Sequence, residues 1–219
     1  MKKKESHILA IDKRAGHLAC NGKNGFLPFD INASSLPFVD ADLWIGPRSH
    51  LEQMETFLQI IPYVITVRDG KILSYQRTKS GGESRLHDNF SIGFGGHIDI
   101  GDVVPVEGGA SINLEATINN AVNRELSEEL SIANEIPDLI PYGLLLDESN
   151  EVGRVHIGIV MIANVTGMVT SKEDQIDLQG FKTPEELSEL NLENWSRIIV
   201  DVIKSVPEDV ELPQQEEIA

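Results

Sequence analysis

Arg124-Glu125-Leu126-Ser127-Glu128-Glu129-Leu130 is the stretch on which the reading of this chain turns. At about 100° per residue, a helix carrying it sets Glu129 about 40° to one side of Glu125 and Glu128 about 60° to the other. Three carboxylates then project from one face. Leu126 and Leu130 fall on an adjacent stripe that can anchor the helix to a sheet. Carboxylates so close repel one another, and Arg124 relieves only part of the repulsion. A divalent cation relieves the rest, and oxygen-only ligands select a hard ion, Mg²⁺ or Mn²⁺. A solvated face of an acidic protein carries the same pattern, so the helix alone leaves both readings open.

Working outward, Leu114, Ile118, Val122, Leu126 and Leu130 recur every four residues, which predicts a helix from about Asn113 to Ser131. Upstream, Phe90–Ile100 reads as a strand interrupted by Gly93, Gly95 and Gly96, and glycines there mean a bulge or a close backbone approach to a ligand. The segment Gly95-Gly96-His97 can bring backbone amides and a carbonyl beside a metal-bound phosphate. Asp69-Gly70 between Tyr63–Val67 and Lys71–Tyr75 predicts a type I′ hairpin. Ser49-His50-Leu51-Glu52 reads as a capping box, and Leu51, Met54, Phe57, Leu58 and Ile61 continue it as a helix of about ten residues. Downstream, strands fit Leu139–Asp147 and Val155–Val165. Thr183-Pro184-Glu185-Glu186 starts another helix, and Leu192 to Val206 form an amphipathic one. Residues 1–48 hold only short apolar patches (His7–Ile11, Gly25–Phe29, Leu36–Val39), which suggest short strands and turns. The expectation is an α/β (α+β) sandwich, a mixed sheet covered by helices.

Gly95-Gly96 followed by Arg124-Glu125-Leu126-Ser127-Glu128-Glu129 resembles the Nudix (MutT-like) signature, in which a Gly is followed after five residues by Glu and, seven residues later, by R-E-aliphatic-x-E-E-x-G-aliphatic. The R-E-aliphatic-x-E-E-x-x-aliphatic string is complete and ends at Ile132. The likeness extends over roughly residues 60–190, from the hairpin ending Tyr75-Gln76-Arg77 to the acidic segment Asp174–Phe181 and Pro184-Glu185-Glu186-Leu187. It departs in three places. Asp102 stands five residues after Gly96 where the signature has Glu, and the loop that follows is longer. Counting back from Arg124 puts Ala116 at that Glu, with Glu115 one place off. Ser131 replaces the Gly that usually ends the helix.

The resemblance implies a Nudix-like α/β/α sandwich over 61–206, with an N-terminal extension at 1–60 and an acidic tail at 207–219. It implies hydrolysis of a nucleoside diphosphate linked to another moiety, by water attack at phosphorus. The Gly96 carbonyl, Glu125, Glu128 and Glu129 would hold Mg²⁺, with Mn²⁺ as the alternative. Arg124 would orient a neighbouring carboxylate. Glu125 or Glu129 would be the general base, or Asp177, which matches the family's downstream acid, with Glu173, Asp174, Glu148 and Glu151 as competitors. Arg77, Arg85 and His87 precede the Gly-rich strand and, with Gly95 and His97, are candidate substrate contacts. Each also reads as surface charge or as a satisfied structural group, and so do Arg154 and His156. Trp44 and Trp195 read as packing residues. A non-catalytic nucleotide-binding module is the competing reading, and a homodimer is expected.

Composition narrows the field. Eighteen Lys+Arg against 35 Asp+Glu leave a net charge of −17 over 219 residues. That field repels nucleic-acid polymers and anionic membrane surfaces. It repels phosphorylated metabolites too, unless a cation stands between. No apolar run approaches the ~20 residues of a membrane span. The apolar stretch near the start is too short for a signal peptide. A lone cysteine, Cys20, allows no internal disulfide. A reducing, cytoplasmic setting is the expectation.

Overall fold

Asp69 and Gly70 hold φ of 52° and 70°, the left-handed pair that a tight hairpin requires. Arg68 then faces Lys71 and Val67 faces Ile72. In the computed structural model, which describes residues 5–29, 37–78, 89–108, 111–133 and 138–205, this hairpin lies within a mixed α+β fold. The strands are β1 (His7–Asp12), β2 (Gly25–Pro28), β3 (Leu43–Pro47), β4 (Phe57–Arg68), β5 (Lys71–Arg77), β6 (Phe90–Ser91), β7 (Gly93–Phe94), β8 (Leu130–Ile132), β9 (Leu139–Leu146), β10 (His156–Asn164), β11 (Val169–Ser171) and β12 (Ile176–Lys182). The helices are α1 (Lys13–Ala19), α2 (Arg48–Leu51), α3 (Leu114–Glu129), α4 (Pro184–Ser188) and α5 (Asn194–Ser205). The main path of the sheet runs β12-β5-β4-β10-β9-β2. Arg85, His87 and the acidic tail lie outside the described residues.

Packing divides the chain into two units. The first comprises the described residues of Met1–Pro62, Gly95–Asn123 and Gly143–Val160. Here β1 pairs with β3 on one side (Leu9↔Ile45) and with the start of β4 on the other (Ala10↔Gln59). β2 pairs with the end of β9, Gly25 against Leu146. The Asp12 side chain caps α1 by accepting from the Arg14 amide at 2.9 Å. Gly16 lets α1 lie against the sheet, since a Cβ there would sit 2.7 Å from Leu58 Cδ1. Cys20, at the end of α1, is buried, which pushes its thiol pKa up to about 11 and removes it from thiolate chemistry.

The second unit comprises the described residues of Tyr63–Phe94, Arg124–Tyr142 and Met161–Ala219. β5 is flanked by β12, with Ile176 opposite Arg77, and by the end of β4. Tyr75 stacks on Phe94 with centroids 4.8 Å apart, and Tyr63 meets Trp195 edge-on at 5.6 Å. The buried Tyr63 hydroxyl bonds to Ser196 Oγ at 2.8 Å, and burial pushes its pKa up to about 12. Gly93 is obligatory against this ring, because a Cβ would fall 1.9 Å from Tyr63 Cζ.

Two local expectations fail. The helix expected over 51–61 ends after one turn, α2, and Ser49 caps nothing; its hydroxyl donates to Glu5. Phe57 onward is the twelve-residue strand β4. The apolar spacing that suggested a helix is overridden because Phe57, Leu58 and Gln59 pair with Asp12, Ile11 and Ala10. The expected strand 90–100 shrinks to β6 and β7, and the chain beyond Phe94 is irregular. Trp44, read as a packing residue, packs on Phe57 with ring centroids 5.6 Å apart while remaining 55% exposed.

Candidate functional site

Helix α3 sets its last turns as its periodicity requires. Ile118, Ala121, Val122 and Leu126 are buried, which turns Glu125, Glu128 and Glu129 away from the core. Arg124 Nη1 lies 2.7 Å from Glu125 Oε1 and 3.7 Å from Glu128 Oε2. The Glu125 side chain is 18% exposed and that of Glu128 is 56% exposed. One Glu129 oxygen is buried, and this carboxylate is close enough to Tyr75 and Arg77 to help raise the pKa of both. Burial is the largest cause for Tyr75, and for Arg77 it opposes the rise. Among the described residues no three His, Cys, Asp or Glu side chains converge on one ion-sized point. The donor set is nonetheless chemically suited to a hard cation, with three carboxylates, −3, against one guanidinium, +1.

The end of α3 is held by a residue the sequence did not single out. Lys172 donates from Nζ to the Ser127 carbonyl at 2.8 Å and from its backbone amide to the Glu129 carbonyl at 2.8 Å. It thereby satisfies terminal carbonyls and places a cation at the negative end of the helix dipole. Only its basic charge was legible, and nothing in the spacing connects residue 172 to residue 127. No left-handed residue follows the helix, since Leu130 enters β8 directly and pairs with Ser171. Ser131, facing Thr170 in that ribbon, therefore needs no glycine.

Other candidates are placed differently. Arg77 Nε binds Glu193 Oε1 at 2.6 Å and so ties β5 to the segment entering α5. Asp177 lies opposite Gln76, whereas Ile176 lies opposite Arg77 and Leu178 opposite Tyr75. By the two-residue alternation of strands, Asp177 projects from the sheet face opposite to the one Tyr75 and Arg77 share. It is exposed and accepts from Gln179 Nε2 at 2.8 Å.

Gly95, Gly96 and His97 belong to the first unit. Gly95 has φ of 143°, a conformation that favours glycine. His97 Nε2 lies 2.9 Å from Gln59 Oε1 and 3.3 Å from His156 Nε2. Asp102, the near-match to the signature glutamate, is buried in a 3₁₀ turn, and its carboxylate accepts from the Asp99 amide at 2.9 Å. Glu148 is occupied as well, with Lys13 Nζ at 2.7 Å and His17 Nε2 at 3.2 Å. Arg154 Nε lies 3.0 Å from Glu55. Gln59 was missed in the sequence, where it is one polar residue inside an apolar run.

No family model matches the chain. YmaB of Bacillus subtilis strain 168 is 37% identical to it over 164 residues, which span 72% of this chain and 76% of that protein. The crystal structure of Tm1382, a candidate Nudix hydrolase, superposes with a TM-score of 0.73 at 26% identity, over 91% of this chain and 98% of that one.

Proposed function

Because this chain belongs to the Nudix (MutT-like) superfamily and shares a family with YmaB, we propose that it is a divalent-cation-dependent hydrolase of a nucleoside diphosphate linked to a second moiety. The observation that carries the reading is the Arg124 guanidinium held against Glu125 and Glu128 on the face they share with Glu129. Glu125, Glu128 and Glu129 are the residues that would hold Mg²⁺, or Mn²⁺ in its place. Bound there, the ion supplies neutralisation of phosphate charge and a lowered pKa for water. Arg124 fixes the Glu125 carboxylate through a charge-assisted hydrogen bond. With one Glu125 oxygen engaged in this way, Glu129 is the carboxylate that accepts the proton of the attacking water. Asp177, on the other sheet face, takes no part in that transfer.

The test is product analysis over a panel of nucleoside diphosphate derivatives with Mg²⁺. Glu129→Gln is expected to lower turnover by about 10²–10⁴-fold, the usual worth of a general base. A second reading, a binding module without turnover, is favoured by one observation: Asp102 is spent on the Asp99 amide. Wild type and Glu129→Gln equally inert throughout, with ligand-induced stabilisation that ignores Mg²⁺, would establish that reading and overturn the hydrolase.

A further inference from the structure

The first unit holds a second group of donors, independent of the carboxylate helix. His97 Nε2 and His156 Nε2 lie 3.3 Å apart, with the rings edge-on and centroids 5.4 Å apart. Gln59 Oε1 lies 2.9 Å from the same His97 nitrogen. His156 Nδ1 lies 2.7 Å from the Val152 carbonyl, so it is the protonated nitrogen and leaves a lone pair on Nε2. A neutral His97 has at most one Nε2 proton, and two acceptors face it. Gln59 is fully buried, and its own Nε2 has no hydrogen-bond partner. Leaving a buried amide half-satisfied is unfavourable, so holding its oxygen against the histidines calls for a reason.

Two imidazole nitrogens on one tetrahedral Zn²⁺, each at about 2.0–2.1 Å, stand about 3.3–3.4 Å apart. The observed separation matches that edge. The Val152 contact matches the second feature of metal-binding imidazoles, whose other ring nitrogen donates to a carbonyl or carboxylate and fixes the tautomer. We propose that Gln59, His97 and His156 form a binding site for a borderline-soft divalent cation of the Zn²⁺ class. It uses none of the α3 carboxylates and needs no activity to exist. The ion replaces the proton between the two Nε2 atoms, and the His97 proton moves to Nδ1, so two neutral rings bind without net proton release. Two nitrogens and an amide oxygen favour Zn²⁺ or Co²⁺ over Mg²⁺. Both imidazoles are half-buried, which leaves the fourth position to water.

The experiment is a Co²⁺ titration of the full chain followed by its visible absorption, in the Glu125→Gln/Glu128→Gln/Glu129→Gln background so that the carboxylate helix does not contribute. One equivalent is expected to bind with the intense bands of four-coordinate Co²⁺, to be displaced by Zn²⁺, and to ignore excess Mg²⁺. His97→Gln and His156→Gln are each expected to weaken binding at least tenfold. Since a variant can fail through misfolding, long-range ¹H–¹⁵N spectra of the wild type provide a second readout, in which the Nε2 resonances of both histidines shift on adding Zn²⁺. Six-coordinate bands only, binding that survives both substitutions, or unshifted Nε2 resonances would each overturn the proposal.

Discussion

A guanidinium one residue before a carboxylate on a helix cannot stack above it, yet Arg124 Nη1 reaches Glu125 Oε1 at 2.7 Å, a reach that its long stem allows. It also stands within 3.7 Å of Glu128, so one side chain sets the spacing of two carboxylates. Arg124→Ala is expected to weaken Mg²⁺ activation about 10–100-fold, the usual worth of a residue that orients ligands. Arg124→Lys restores part of it, because an ammonium supplies charge without a planar fork. Titrating Mg²⁺ in the turnover assay measures both. Arg77, a candidate phosphate contact, is engaged by Glu193 at 2.6 Å. Its charge was legible from the sequence, but its partner 116 residues away was not.

At the scale of elements, local chemistry succeeded where the interactions are local. Thr183 accepts from the Glu186 amide at 3.3 Å and Glu186 accepts from the Thr183 amide at 2.8 Å, the reciprocal pair its spacing predicted. Thr183→Ala is expected to cost about 1 kcal/mol, read as a lower urea midpoint with unchanged m. The same kind of motif misled at Ser49–Glu52, where the segment beyond one helical turn was claimed by β1 as a strand partner. Helix α3 was legible over nearly its whole length, because one buried stripe and one acidic face satisfy a single period. What ends it was not, since Lys172 and β11 close its terminus from the far side of the sequence.

For the molecule as a whole, with a net charge of −17, stability responds to pH through carboxylates that gain partners on folding. Glu148 has its pKa lowered, first by the hydrogen bond from Lys13; desolvation opposes this as the next-largest effect, and the charges of Lys13 and His17 add to the lowering. A depressed carboxylate stabilises the fold above its unfolded value of about 4.3 and loses that contribution as pH falls through the folded value. Glu148→Gln is therefore expected to be less stable than wild type at pH 7, with the gap in urea midpoints closing as pH drops below about 4. Among the described residues no helix is long and apolar enough to cross a membrane.

The sequence by itself determined the carboxylate face of α3, the Asp69-Gly70 turn, the Thr183 cap and the strands β9 and β10, all set by dihedral preference or by periodicity over a few residues. Tertiary structure alone decided that Phe57–Arg68 is a strand, that Arg77 serves Glu193, that Asp177 faces away from Tyr75, and that Gln59, His97 and His156 meet. Those outcomes depend on pairing and burial between segments tens to more than a hundred residues apart. Such partners leave no periodic trace in either stretch, because each makes sense only once the other is in place.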